Sequence, residues 1–596
     1  AAVLYRSLRP EETGLDDFED VVAGVEATLG VEIRDQAPIF LGARMGRPEK
    51  AKRRELKGKP QLLFPCGKDE GGRMRNLIRS YREHGTVEAE VLQNYCSSCN
   101  RPTHFGYCPY CGDAAEEQRT CPSCGRETKD ETCPSCGSET SRYQESEIPL
   151  KELLNIAKRN LDMRRLPELL KAPRGVTGKH RHVEPLEKGL LRNKYDLYVN
   201  KDGTIRYDSS DLSMTHFRPE EIGTDVETLR ELGYEEDVNG DPLEEPDQVV
   251  RLKPQDIVVS KNGRNQSGVE YLYRVTRFID DLLEEFYGLG AFYNLDDSED
   301  IVGELVIGLA PHTSGGIVGR IIGFTEAKGT YAHPYWHTAK RRNADGDEDS
   351  VILLMDGLLN FSRQFLPDRR GTRTMDAPLI LSTVLNPDEV DDESWNVDVD
   401  ARYSKAFYEA TQEFREPWEI HGEGEDEVTI AENLIEQDNP FAFDYTHETS
   451  DVEDAPMQSS YVTLGEMSEK VKTQLELGAK TRPVREHEVA ELLLTKHFVP
   501  DIKGNLRAFS SQEVQCTSCN HTHRRVPLQG RCRKCGGDLN LTVPEGAIRK
   551  YLEPSEEIAD NFAISTYKRQ QIYMLKRRIQ SLFGKEHRQS GLGQFT

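Results

Sequence analysis

Nowhere in its 596 residues does the chain hold an apolar run of about 18 residues, and a bilayer-spanning helix needs about 20. No membrane span is predicted. The opening residues, AAVLY, show no basic segment followed by an apolar stretch, which predicts no secretory signal. They also lack an initiator methionine, which predicts a fragment or a processed product. These absences together lead to the expectation of a cytoplasmic protein. Positive charge is scarce as well: 77 Lys and Arg face 103 Asp and Glu, a net charge of -26. Taken alone, that deficit argues against an enzyme of nucleic acids, because phosphate binding wants cations. Distribution decides, however. Acid concentrates at 386–400 and 422–454, whereas base gathers at 44–59 and 337–342. An acidic surface with local basic patches fits a protein of a high-salt cytoplasm, as in a halophilic microbe, and leaves nucleic acid open as a partner.

What is present is enough for several cores, since a chain of this length exceeds a single one. The pattern is that of a mixed α+β multidomain chain. Residues 1–90 carry a basic segment, GRPEKAK, and 91–140 form a cysteine-rich module. Residues 141–290 read as an α/β accessory region, with amphipathic helices in 145–170, strand-like runs through 186–275 and a helix at 273–289. Apolar β-rich runs (IVGELVIGLA, GGIVGRIIGFT, APLILSTVL) in 291–400 flank a polar loop at 337–350. Residues 401–510 read as mostly helical, 511–545 as a second cysteine module, 546–583 as helical and 584–596 as a flexible tail.

Twelve of the thirteen cysteines form six C-x-x-C pairs. Cys96, Cys99, Cys108 and Cys111 make one set, Cys121, Cys124, Cys133 and Cys136 a second, and Cys516, Cys519, Cys532 and Cys535 a third. Two thiolates three residues apart share a tight turn around a metal, and two such knuckles complete a tetrahedral site. Gly112, Gly125, Gly137 and Gly536 follow the second cysteine of a knuckle, where the backbone turns tightly. Four thiolates leave no position for substrate, so three structural Zn²⁺ ions are expected. A redox pair would need a thioredoxin-like setting, which is missing. His104, His521 and His523 are expected at the surface of the modules, and Cys66, alone in LLFPCG, is expected to serve packing.

The segment RRNADGDED, 341–349, carries the chemistry. Asp345 and Asp347, two residues apart around Gly346, can converge on one hard cation, with Asp349 near enough to help. Mg²⁺ takes few protein carboxylates and keeps room for water and phosphate. Lys340, Arg341 and Arg342 stand ready to hold phosphates beside it. An EF-hand also places oxygens at 345, 347 and 349, but Ser350 stands where that loop needs glycine and Asp356 where it needs glutamate. A plain solvated acidic turn is the other alternative.

HPYWHTAKRRNADGDEDSVILLMDGLLN at 333–360, GARMGRPEKAKRRELKGKP at 42–60, EKGLLRNKYDLYVNKDGTIRYD at 187–208 and HTSGGIVGRIIGFT at 312–325 resemble the large subunit of the archaeal D-family DNA polymerases. The likeness runs through nearly the whole chain and covers the carboxy-terminal half of that subunit. It implies a catalytic core of two double-psi β-barrels, as in multisubunit RNA polymerases, one within 1–90 and the second within 291–400. It further implies that Asn343, Asp345 and Asp347 match the metal-binding motif, with two Mg²⁺ ions, and that Lys50 and Lys52, with Arg47, contact phosphate. A generic basic helix is the plainer reading of those lysines. His333, His337 and Arg320 fall in matching segments and receive no role beyond packing or loop ordering. The implied partners are primer–template DNA, deoxynucleoside triphosphates and a small proofreading exonuclease subunit; no nuclease motif is visible in this chain. Gln589, Leu592 and Phe595 in the tail resemble a box that docks on sliding clamps, against which stands a tail of chance composition. The expected function is Mg²⁺-dependent nucleotidyl transfer to a primer 3′-hydroxyl. An RNA-polymerase-related subunit and a non-catalytic, ribbon-bearing DNA-binding scaffold are the rivals.

Overall fold

The computed structural model describes residues 59–65, 74–173, 183–261, 267–310, 315–342, 348–361, 379–399, parts of 409–444, 464, 467–480, and 485–583 without 520, 542 and 544. Two compact units divide the chain, Ala1–Gln458 and Ser459–Thr596.

In the first unit, a six-residue antiparallel ladder joins Val87–Leu92 to Tyr143–Ile148. Alternate residues of VEAEVL are buried, as a strand with one covered face requires. Both ribbons of the first cysteine module are inserted at the end of this hairpin. Helix α1 (Leu77–Glu83) precedes it, capped by the Asn76 side chain on the Ile78 amide. Helix α2 (Leu150–Asn160) follows and buries Leu150, Leu153, Leu154, Ile156 and Ala157. Spacings of three and four residues put these on one stripe. The sequence predicted helix from 145, but 143–148 pairs as strand before the helix begins.

Helix α3 (Leu186–Lys194) buries charge as well as leucine. Arg192 donates to Glu184 Oε1 at 2.8 Å and to the carbonyls of Gln61 and Gly203, both at 3.0 Å. Glu184 Oε2 in turn accepts from the Leu63 amide at 2.8 Å. Both side chains are sealed from solvent, and the pair ties segment 59–65 to α3.

The centre of the unit is a closed barrel of six strands. They are β1 (Tyr207–Ser213), β2 (Asp256–Ser260), β3 (Leu305–Leu309), β4 (Gly315–Thr325), β5 (Thr330–Ala332) and β6 (Glu348–Leu353). Around the ring the order is β2-β5-β1-β6-β3-β4, and β4 closes it by pairing parallel to β2. A short strand, β7 (Ile380–Ser382), adds to β4 outside the ring. Strands covered on both faces read as continuous apolar runs, which is why DIVVS and most of GGIVGRIIGFT are buried. Two of the six strands come from the stretch that the sequence assigned to an accessory region, so the barrel begins near 207 and not at 291. Pairing partners 50 to 150 residues away are invisible to local pattern. The YDLYVN run forms no strand; the long helix is α4 (Gly268–Asp281), continued by a π-helical turn at Leu282–Tyr287.

Arg320 sits where β4 leaves β3 for β2, opposite both Leu305 and Asp256. Its guanidinium grips the Asp256 carboxylate with two bonds of 2.9 and 2.7 Å, and Tyr234 donates to the same carboxylate at 2.7 Å. Planar, bidentate pairing suits arginine in particular. The packing role expected for Arg320 is therefore specific.

The second unit is helical around one ribbon. Helices Met467–Lys480, Glu486–Leu493, Val499–Ser511, Leu552–Asn561 and Thr566–Phe583 enclose a core of Leu475, Leu494, Phe498, Ile502, Ile558 and Ile579. Phe498 stacks on Tyr551, ring centroids 4.6 Å apart. Among the described residues, no helix is long and apolar enough to cross a membrane.

Candidate active site and metal-binding clusters

Asn343, Asp345 and Asp347 lie outside the described residues, as do Arg47, Lys50, Lys52, Cys66, Gln589, Leu592 and Phe595. The frame around the acidic segment is described on both sides. Upstream stands helix α5 (Pro334–Ala339), started by His333, whose Nδ1 accepts from the Tyr335 amide at 3.2 Å. Downstream, β6 lies between β1 and β3 in the barrel wall and is buried along its whole length.

Lys340 and Asp349 correct the sequence reading. Phosphate contact was expected of Lys340 and help with a cation of Asp349, but the two side chains are sealed in the core and paired with each other. The Lys340 ammonium also donates to His337 Nδ1 at 3.2 Å and lies over the Trp336 ring, 3.5 Å from its centroid. His337 Nε2 meets the Leu212 carbonyl at 3.0 Å, so the imidazole is neutral with its proton on Nε2. Burial, reinforced by the Lys340 charge, holds the His337 pKa well below the ordinary value. Burial likewise lowers Lys340, against the pull of Asp349. The segment at 337–350 is thus no plain polar loop. At its described ends Lys340 and Asp349 are core residues that satisfy each other. Of the basic trio, Arg341 alone is exposed, in a left-handed conformation with φ 56°, while Arg342 is half-buried.

Room for this cluster comes from glycine. A Cβ at Gly308 of β3 would overlap the Trp336 ring, and one at Gly319 of β4 would lie 3.1 Å from its Nε1. Sequence reasoning missed a second buried group. Lys188 of α3 donates to Asn360 Oδ1 at 2.7 Å, Asn360 donates to Asp356 at 2.8 Å, and Asp356 accepts the Ile205 amide at 2.7 Å. Asp356 and Asn360 belong to α6 (Leu354–Asn360), which follows β6 directly, so the network braces the strand leaving the acidic segment. Burial pushes Asp356 up to about 6 and Lys188 down to about 8. The available signal was charged residues on the apolar face of EKGLLRNK.

Each of the three cysteine sets converges, its four Sγ atoms lying within 4.8 Å of one another. Sγ pairs stand 3.6 Å apart for Cys96–Cys111, 3.4 Å for Cys121–Cys136 and 3.4 Å for Cys516–Cys535. A tetrahedron of thiolates about 2.3 Å from a central ion has edges of about 3.8 Å, so each set fits a four-coordinate metal. Gly112, Gly125, Gly137 and Gly536 have φ of 83, 71, 69 and 73°, and each amide bonds back to the first cysteine of its knuckle. In the knuckle Cys96–Cys99 that position falls to Asn100, with φ 55°. One expectation changes here. His523 is buried, and its Nε2 lies 3.3 Å from Cys532 Sγ, the place of a group that orients a metal ligand. His521 is exposed, as expected.

A family model described as "DNA polymerase II large subunit DP2, catalytic domain" matches residues 162–470, and one described as "DNA polymerase II large subunit DP2, central domain" matches 3–130. The DNA polymerase II large subunit of Archaeoglobus fulgidus is 46% identical over 573 residues, covering 95% of this chain and 49% of the relative. That of Pyrococcus furiosus is 47% identical, covering 95% and 44%, and that of Natronomonas pharaonis 43% identical, covering 97% and 49%. The chain spans about half the length of the curated relatives it matches.

Proposed function

The chain belongs to the DNA polymerase II large subunit family, and from that membership we propose that it carries the nucleotidyl-transfer core of a template-directed DNA polymerase. The observation that supports this most is the frame of the acidic segment. A carboxylate-rich segment of the sequence connects a short helix to a barrel strand, and Lys340 and Asp349, on either side of it, are paired. Rigid ends suit a segment that must present ligands in a fixed geometry.

In this reading Asp345 and Asp347 hold two Mg²⁺ ions and Asn343 supports them, a set of hard oxygens suited to that cation. When bound, the ions favour the primer hydroxyl as nucleophile and offset charge on the leaving pyrophosphate. Exposed Arg341, with Lys50, Lys52 and Arg47, holds triphosphate oxygens in line with the primer end. Lys340 and Asp349 leave this roster and become supports. The six-stranded barrel is read as a double-psi barrel, with a companion in 1–90, and the three cysteine clusters as structural zinc sites. A small proofreading subunit completes the enzyme, and Gln589, Leu592 and Phe595 dock it on a sliding clamp. The cytoplasm is its location.

Primer extension by this chain, assembled with the part of a relative's large subunit that it does not span and with a small subunit, tests the reading. Extension with deoxynucleotides and none with ribonucleotides is expected. A preference for ribonucleotides would move the chain to the RNA-polymerase-related rival.

A further inference from the structure

We propose that a cationic groove between α1 and α2 is a binding site for phosphate groups, taking the backbone of a nucleic-acid strand. Tyr81, Arg82, Asn155, Lys158 and Arg165 line a cavity of about 300 Å³ there. Helix α1 supplies Tyr81 and Arg82, α2 supplies Asn155 and Lys158, and the turn after α2 supplies Arg165. Among the described residues, Arg82, Lys158 and Arg165 take no ion-pair partner, while the neighbouring Arg79 is spent on Glu83 at 2.9 Å. The Tyr81 hydroxyl donates to Asn155 Oδ1 at 3.2 Å, which occupies the amide oxygen and leaves the amide nitrogen as a further donor.

Charge makes this arrangement selective. In a chain of net charge -26, the segment KRNLDMRR at 158–165 holds four cations and one acid. Uncompensated cations that converge on a concave surface repel one another and are relieved by an anion. The volume stands at the lower end of small-molecule pockets, about 300–1,000 Å³, and Ile78 and Leu166 complete a lining in which polar groups outweigh apolar ones, so the groove suits phosphate better than a whole nucleotide with its base. Phosphate is common to a strand and to free polyphosphate, and the experiment separates them. The inference rests on the polymerase reading and names where a strand is held.

The test uses the whole chain and a fluorescently labelled primer–template duplex, with anisotropy read over a salt series. Arg82→Gln, Lys158→Gln and Arg165→Gln combined are expected to raise Kd at least tenfold at about 0.1 M salt. They should also flatten the slope of log K against log salt by about 2–3, each lost phosphate contact removing about 0.9. Arg82→Lys with Arg165→Lys should keep the slope. Because these side chains lie at the surface, an unchanged thermal melt of each variant guards against misfolding. In a second arm, tripolyphosphate alone is titrated: loss of its binding in the triple variant with duplex binding intact assigns the groove to free polyphosphate. Intact binding of both overturns the proposal. Asp345→Asn with Asp347→Asn should leave this slope unchanged, so a failure of the polymerase reading shows separately, as incorporation that survives in that variant.

Discussion

Lys340 and Asp349, nine residues apart, meet inside the core and close the base of the segment that carries Asn343, Asp345 and Asp347. Removing one partner strands a buried charge, which costs about 3–5 kcal/mol. Lys340→Met is therefore expected to destabilise the first unit by that order, and Lys340→Met combined with Asp349→Leu by clearly less. All three tryptophans fall in the first unit, so urea unfolding followed by tryptophan fluorescence reads it selectively. A double variant that loses as much as Lys340→Met and Asp349→Leu do added together would show that the pair carries no net coupling.

Trp336 lies across Gly308, and a methyl group there overlaps the ring. Overpacking of a close-fitted core costs about 1–3 kcal/mol. Gly308→Ala should lower the unfolding midpoint accordingly, and because the displaced ring supports Lys340, the native fluorescence should shift as well. A variant with parental stability and spectrum would refute this packing.

Acid should weaken the first unit. Burial holds His333 down to about 3 and His216 down to about 4, with His337 depressed too, against about 6.5 in the unfolded chain. Below pH 6.5 the unfolded state takes up protons that the folded state refuses, so this stability is complete above that pH and falls toward pH 4. Each group contributes a slope of about 1.4 kcal/mol per pH unit. Asp356, raised to about 6 by burial, opposes one of the three between its unfolded value and 6. Urea midpoints at pH 7, 6 and 5 check the net fall, and a flat profile would contradict it.

Metal content tests the ribbons one by one. Cys108→Ser, Cys133→Ser and Cys532→Ser should each remove one of three bound Zn²⁺ ions per chain. His523→Phe should keep the third ion but weaken it about 10- to 100-fold against a chelator, the usual effect of losing a ligand's supporting group. Competition with a chromogenic chelator measures both. Release of the third ion at the parental chelator concentration would mean His523 does not support Cys532.

Cysteine spacing is local, so all three clusters were legible in the sequence, down to the glycines that make their turns. Asn100 escaped notice because a left-handed asparagine looks like any other polar residue. Apolar runs marked β3, β4 and β7 as strands, but β6 was hidden beside the polar segment, barrel closure rests on pairings of β1 and β2 with distant segments, and nothing within β1 (YDSSDLS) announces a barrel wall. Charges were the hardest to place. Lys340, Asp349, Lys188 and Arg192 read as surface groups by composition, and only the fold pairs them inside, where a partner offsets the desolvation that would otherwise exclude them. Sequence adjacency to the acidic residues suggested contact with substrate; the geometry instead pairs Lys340 with Asp349 in the core.

The central claim is that Asp345 and Asp347 grip the ions that drive nucleotide addition. Its most direct measurement is single-turnover incorporation by the assembled polymerase carrying Asp345→Asn and Asp347→Asn, alongside its affinity for primer–template. The account predicts incorporation lowered at least a thousandfold with DNA affinity within a few-fold of the parent, since only a metal-dependent step has been removed. Undiminished incorporation would contradict it and leave the chain a ribbon-bearing scaffold.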